Sequence, residues 1–412
     1  MASLAVLVAI SRPANGSNCA GTSTGFVPLT DLGSGTYHGF PGGLYGAGSN
    51  ARPAVHESHG IAIANALVPL DTLGQPDPNG SIVFVSIGMS NCTQEFSTFL
   101  PIANADPQIN PRVKLIDCAV GGQSADVIRN PAAAYWDSVR TRLRGHGSSP
   151  AQVQVVWSKE ANRQPTGAFP ASADSLTWNM GAVVRNITTL LPNTKLAYLT
   201  SRIYAGYASS PLNPEPYAYE SGFAFKWLID AQIAGVDSLN YDPAVGAVHA
   251  PWLSWGPYLW ADGTTPRVDG LAWACSDFVS TDGTHPSSTG RTKVANGLLA
   301  FLKRDVTTTP WFLKRTTAVP QADVAALEFS IAPNPSHGSL ALTFIPPAAG
   351  RWTIDLVDLA GRRLARVAQG VGNGVRETVR WTAPRALRTG VYWVRYSDRR
   401  QTRASRLSLI SQ

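Results

Sequence analysis

The sequence predicts an α/β domain, a parallel sheet covered by helices, joined through a linker to a small all-β domain. Three observations predict it. Apolar runs of strand length alternate with amphipathic helical segments from Ser81 to about Ala234, the pattern of successive βαβ units. Those runs are nearly continuous in apolar residues, as expected of strands buried on both faces. After residue 326 the style changes to short alternating runs separated by Gly and Pro, which suits an antiparallel β-sandwich.

The 412 residues leave room for two or three domains of about 100–200 residues each. A hydrophobic share of 44% excludes wholesale disorder, and 37 glycines and 30 prolines call for many loops. No run of about 18 apolar residues occurs, so no transmembrane segment is expected. From Leu327 onward 13 arginines face 5 acidic residues, a net charge of +8, while the rest of the chain is near neutral. Such a tail is compatible with nucleic acid or an acidic surface. No nucleic-acid motif accompanies it, so the expectation is a solvated β-domain with arginines on its exposed face and no nucleic-acid partner.

The elements follow in order. Residues 1–20 carry the apolar run Leu4–Ile10 and then small residues, without a basic stretch ahead; they read as a weak or truncated secretory leader. Residues 21–77, rich in Gly, Ser, Pro and aromatics, read as an extension packed on the main domain. His38, His56 and His59 lie there at spacings that match no metal motif. The main domain is expected over residues 78–306. Its first strand, Ile82 to Ile87, ends at Gly88, and Asn91 and Gln94 follow at capping-box spacing. Phe96, Phe99 and Leu100 then mark one face of a helix. Further strands are expected at Val113–Val120, Val153–Trp157 and Leu196–Thr200. Helices are expected at Ala132–Arg144, around Leu176–Leu191, over Glu220–Ala234, and after Ser287. Residues 307–326, polar and with Pro310 and Pro320, read as a linker. Residues 327–412 contain the runs Leu340–Phe344, Trp352–Val357 and Val391–Tyr396 of the small β-domain.

In a parallel sheet the functional residues gather beyond the C-terminal strand ends. Ser90 stands in the turn after the first strand, where an α/β enzyme would place a nucleophile. Gly121 and Gly122 follow the second strand, and glycine lets backbone N–H groups approach an oxyanion closely. Lys159, Glu160 and Asn162 follow the third strand and offer side-chain groups to the same edge. Ser280-Thr281-Asp282-Gly283-Thr284-His285 lies just ahead of the last helix. An Asp three residues before a His lets the carboxylate orient the imidazole as a general base. Trp252, Trp255, Tyr258, Trp260 and Trp273 sit among Gly, Pro and Asp; they are expected either to stack on sugar rings from loops or to pack in the interior. The four cysteines show no zinc spacing. Cys92 and Cys118, near adjacent strand ends, are the expected bridge if the compartment is oxidising.

Taken together, these blocks over about residues 78–305 resemble the SGNH (GDSL-like) hydrolases, particularly the carbohydrate esterases among them. The resemblance implies a flavodoxin-like parallel sheet. It also implies Ser90 as nucleophile, Asp282 and His285 as its charge-relay partners, and Ser90, Gly122 and Asn162 as oxyanion hole. No metal or cofactor is implied. Two departures stand out: Met89 replaces the usual Asp or Gln before the serine, and the third block lacks Gly-x-Asn-Asp, so Lys159 or Glu160 competes with Asn162 for its place. The tail resembles the C-terminal sorting domain of type IX secretion substrates, an immunoglobulin-like fold, through Pro333-Asn334-Pro335, Asp358-Leu359-Ala360-Gly361-Arg362 and Gly390-Val391-Tyr392. That resemblance implies a secreted or cell-surface protein that engages the type IX machinery through residues 327–412. The expected activity is that of a serine esterase removing acyl groups, O-acetyl above all, from a polysaccharide. The rival is a non-catalytic glycan-binding module on the same fold, which would use Trp252, Trp255, Tyr258 and Trp260.

Overall fold

All seven residues of Ile82–Gly88, strand β1, are buried, as a nearly continuous apolar run requires. The computed structural model describes residues 16–314, 329–346, 349–358, 362–384, 387–398 and 402–410. They fall into two compact units divided between residues 315 and 316.

In the first unit β1 pairs in parallel with β2 (Val113–Asp117) on one side and β3 (Val153–Lys159) on the other. Strands β4 (Leu196–Thr200) and β5 (Trp252–Trp255) extend the sheet beyond β3, giving the order β2-β1-β3-β4-β5, parallel throughout. The order reverses at β1, and the crevice beyond β1 and β3 is where such sheets bind ligands. The longer helices are α1 (Ala54–Ala66), α2 (Ser90–Asn104), α3 (Ala134–Gly145), α4 (Ala171–Leu190), α5 (Tyr217–Ile233) and α6 (Ser288–Leu302). Helix α2 packs on α6, and α4 on α5. Phe84 of β1 meets Phe96 of α2 and Trp311 edge-to-face, with ring centroids 5.5 Å apart in both pairs.

Strand β5 was not expected. Trp252-Leu253-Ser254-Trp255 is short and flanked by Pro and Gly, so it reads as loop. Its aromatic residues nonetheless suit a buried strand. The N-terminal extension covers this edge of the sheet. Tyr45 Oη and Arg52 Nε bond Ser254 Oγ at 3.1 and 2.9 Å, and the His56 ring lies 2.8 Å from the Leu253 carbonyl. Burial pushes the His56 imidazole down to about 4.

Two boundaries move. Residues 307–314 are not linker: Trp311 and Phe312 are buried in the first unit, and Tyr198 Oη donates to the Thr307 carbonyl at 2.8 Å. Tertiary burial there overrides a polar composition. The remainder of the expected linker, residues 315–326, lies outside the described residues, as do residues 1–15 of the leader. Cys19, which the leader reading included, is disulfide-bonded to Cys275, and Ser17 N–H donates to the Ser280 carbonyl at 2.8 Å. The expected Cys92–Cys118 bridge is absent, both being buried free thiols. Cys92 packs instead over the end of β1, where a Cβ on Gly88 would come within 2.7 Å of Cys92 Cβ. Burial pushes the Cys118 thiol up to about 12. Among the described residues no helix is long and apolar enough to cross a membrane.

The second unit consists of two antiparallel sheets. Strands β6 (Ser330–Ala332), β7 (Ser339–Phe344) and β10 (Glu377–Thr382) form one. Strands β8 (Arg351–Val357), β9 (Arg363–Val371), β11 (Gly390–Asp398) and β12 (Thr402–Leu409) form the other. Their inward residues share one core, where Phe344 of the first sheet meets Trp352 of the second at 4.8 Å between ring centroids. Asn334 of the Pro-Asn-Pro segment ties down β12, donating to the Arg406 carbonyl at 2.7 Å and accepting from Ser408 N–H at 2.9 Å.

Candidate active site

Ser90 is the first residue of α2, with extended Met89 as its cap. The expected cap, Asn91, instead lies inside the helix and donates to the Thr284 carbonyl at 3.2 Å. That bond joins the serine turn to the loop before α6. The loop is held in a tight reversal, since Val279 N–H donates to the His285 carbonyl at 2.8 Å. The sequence-predicted trio therefore meets. Ser90 Oγ lies 2.8 Å from His285 Nε2, and His285 Nδ1 lies 2.7 Å from Asp282 Oδ2. Asp282 Oδ1 accepts from the backbone N–H groups of Thr284 and His285 at 2.8 and 3.0 Å. Partial burial pushes the Asp282 carboxyl up, but these backbone bonds and the one from the His285 ring outweigh it and hold it below the usual value. An ionised Asp282 accepts from a proton on Nδ1, the arrangement that in a neutral ring leaves Nε2 as the acceptor toward the serine hydroxyl.

Ser90, His285, Gly122 and Asn162 line one cleft of about 210 Å³, with Met89, Arg163, Leu212 and Thr284 among its other walls. Three residues that carry possible donors line it. The Ser90 N–H is a first-turn helix donor without an intrahelical acceptor. Gly122, at φ 76°, turns its backbone in a conformation that favours glycine, with open space where a Cβ would stand. Asn162 is fixed by Asn179, whose Nδ2 donates to Asn162 Oδ1 at 2.7 Å, and it donates one amide hydrogen to Ser175 Oγ at 3.3 Å. Its second amide hydrogen is left over. Lys159 and Glu160, the competitors for this place, are wholly buried and do not line the cleft. Lys159 pairs with Glu95 of α2, and burial pushes the Glu160 carboxyl well up.

The aromatic expectation resolves to its packing half. Trp252, Trp255, Tyr258 and Trp260 are buried and none lines the cleft. Each polar tip is bonded internally: Trp252 Nε1 to the His56 carbonyl, Trp255 Nε1 to the Leu44 carbonyl, and Trp260 Nε1 to Glu215 Oε1. Tyr258 Oη accepts from Leu29 N–H. Trp273 is likewise buried, donating to the Leu259 carbonyl.

Sequence reasoning missed Arg202, Asn213 and Ser124, which also line the cleft. Arg202 is two residues past β4, and its place at the strand edge was the signal available. Its side chain is buried with Nε and Nη2 unpartnered, as are Asn213 Oδ1 and Ser124 Oγ. Asn213 holds φ 53°, a left-handed conformation that Asn tolerates better than most residues.

No family model matches the chain, and no curated protein matches it. Among solved structures it aligns with a modular endo-beta-1,4-mannanase from Cellulomonas fimi at 13% identity and a TM-score of 0.15, over 66% of this chain and 50% of that one. The chain therefore spans half the length of the mannanase. It also aligns with an engineered protein at 11% identity and a TM-score of 0.20, over 95% and 92% of the two chains. A third alignment is to an FMN-binding beta-glucuronidase from Facaelibacterium prausnitzii L2-6 at 9% identity and a TM-score of 0.17, over 90% and 55%. Superposition this poor carries no argument about fold or activity.

Proposed function

We propose that the first unit is a serine esterase of the SGNH type that removes acyl groups, O-acetyl above all, from a polysaccharide. The observation that carries the reading is the unbroken chain Ser90 Oγ, His285 Nε2, His285 Nδ1, Asp282 Oδ2, at 2.8 and 2.7 Å. Ser90 Oγ attacks the acyl carbon while His285 Nε2 takes its proton. The N–H groups of Ser90 and Gly122 and the Asn162 amide receive the oxyanion. The intermediate collapses as His285 returns the proton to the departing sugar oxygen, leaving the acyl group on Ser90. Water, deprotonated by His285, then releases the acid and restores the serine. Ser90, His285 and Asp282 need no other co-reactant for these steps. The strand order and the site's place beside the β1/β3 switch point support the SGNH reading. The four aromatics that the glycan-binding rival would use are buried, which favours the esterase reading over it.

We propose further that the second unit is an immunoglobulin-like sorting domain for type IX secretion, which would make the protein extracellular. The Pro-Asn-Pro contact with β12 and the disulfide Cys19–Cys275 support that reading, because disulfides persist in oxidising compartments.

The test is labelling by a fluorophosphonate probe, with acetate release from acetylated polysaccharides measured alongside. Labelling that vanishes in Ser90→Ala and drops in His285→Ala is the expected result. A folded wild type that neither labels nor releases acetate overturns the esterase.

A further inference from the structure

The least expected feature of the cleft is a buried arginine with two guanidinium nitrogens left unpartnered. The Arg202 side chain is 1% exposed, and its Nε and Nη2 have no hydrogen-bond partner. A guanidinium taken out of water without replacement bonds is unfavourable. Attraction to Glu95, Glu215 and Asp282 offsets part of this through space, but attraction does not satisfy the two N–H groups. Those two donors form one edge of the planar fork, the edge that matches the two oxygens of a carboxylate. The rest of the cleft has the same polarity. Arg163 stands exposed at its rim, and among the described residues that line it there is no Asp or Glu. Ser124 Oγ and Asn213 Oδ1, also buried and unpartnered, add one hydroxyl and one acceptor for a polar ligand.

We propose that the cleft takes a substrate bearing a carboxylate in addition to its ester, and that Arg202 receives that carboxylate through Nε–H and Nη2–H. The ester half of this statement rests on the proposed function; the carboxylate half does not. The carboxylate has two sources. It belongs either to the sugar, as in a uronic acid, or to the acyl group, as in a dicarboxylic half-ester. Arg202 is then a specificity residue, and the buried charge finds its bonds only in the complex.

The experiment measures binding, so it does not depend on turnover. Full-length Ser90→Ala protein is titrated calorimetrically with two pairs of probes that differ in the anionic group. Methyl glucuronoside against methyl glucoside reports a carboxylate on the sugar. Succinate against succinamide reports one on the acyl group. One anion is expected to bind about 10- to 100-fold more tightly than its neutral twin, the range of a charge-assisted pair. In Ser90→Ala/Arg202→Met that preference is expected to disappear. In Ser90→Ala/Arg202→Lys, which keeps the charge and loses the fork, it is expected to shrink. Circular dichroism checks that each variant folds; if the Met variant does not, the Lys variant and the two probe pairs still decide. Equal binding of anion and neutral twin in both pairs overturns the proposal, as does a preference undiminished in whichever of the Met and Lys variants folds. Anion binding by a protein that releases no acyl group would leave this inference standing and remove the esterase instead.

Discussion

Lys159, the last residue of β3, and Glu95, in the second turn of α2, form an ion pair in which neither side chain has any exposed surface. The pair ties the helix that starts at Ser90 to the strand that leads to Asn162. Burial pushes Glu95 up and Lys159 down against their mutual attraction. Removing one partner strands the other. Lys159→Met is expected to cost roughly 3–5 kcal/mol, and Glu95→Leu/Lys159→Met distinctly less. Denaturant unfolding of the two variants checks this, and a double variant as unstable as the single would refute it.

On the esterase reading, the proposed oxyanion donors predict a graded series. Asn162→Ala is expected to lower kcat by about 10²–10³ with little change in KM, the usual effect of losing one such donor. Gly122→Ala has room for its methyl group but not a favourable φ. It is expected to lose about 1–2 kcal/mol of stability, along with turnover. Steady-state kinetics on an activated acetyl ester, paired with thermal melts, separates the two effects.

Asp282 fixes both tautomer and geometry. Asp282→Asn is expected to reduce kcat by about 10²–10⁴. Because its folded carboxyl sits below the usual 3.8, its contribution to stability is present above that value and lost only as pH falls through the lower folded value. Acid unfolding curves of wild type and Asp282→Asn should therefore diverge above the usual carboxylate range and converge in stronger acid.

Glu215 behaves in the opposite sense. Burial pushes it up to about 7, although Trp260 Nε1, two backbone N–H groups and the Arg202 charge favour its ionised form. Between the unfolded value of 4.5 and about 7 the folded chain holds the extra proton, so this group makes stability fall as pH rises through that window and stay level above it. Glu215→Gln should flatten that slope. Melts at about pH 5 and about pH 7.5 give the difference, and an unchanged slope would show that Glu215 is ionised throughout.

The disulfide Cys19–Cys275 joins residues 256 apart. Its loss in Cys19→Ser/Cys275→Ser is expected to cost roughly 2–5 kcal/mol. Thiol alkylation without reductant should mark Cys92 and Cys118 in the denatured chain. It should leave them untouched in the native one, because both are buried with raised thiol values.

What the sequence reveals and what it hides divide by distance along the chain. Strand β1 and the Asp282–His285 pair are local patterns, so their residue types and spacing are enough. Topology placed Ser90 at a strand end, but its contact with His285 was implied by the resemblance to the SGNH hydrolases and not by any spacing. Arg202 carried no such mark: an arginine after a strand is ordinary, and only burial without partners distinguishes it. The cysteines were paired by proximity of strand ends, but Cys19 reaches Cys275 across the whole unit, and nothing local to residue 19 points there. Trp252 and Trp255 were misplaced because a four-residue strand is too short to show alternation, and its flanking Pro and Gly read as loop.

The contact between residues 17–19 and the loop at 275–285 has a consequence for timing. Ser17 holds Ser280, and Cys19 holds Cys275, so the segment that carries Asp282 and His285 is braced by the opposite end of the unit. Contacts of such long sequence separation close late, after the loop entropy between them has been overcome. A chain emerging from the ribosome or threading a membrane would thus carry Ser90 for some two hundred residues before its base is in place. On the esterase reading, the nucleophile stays unarmed until the whole unit has arrived and folded.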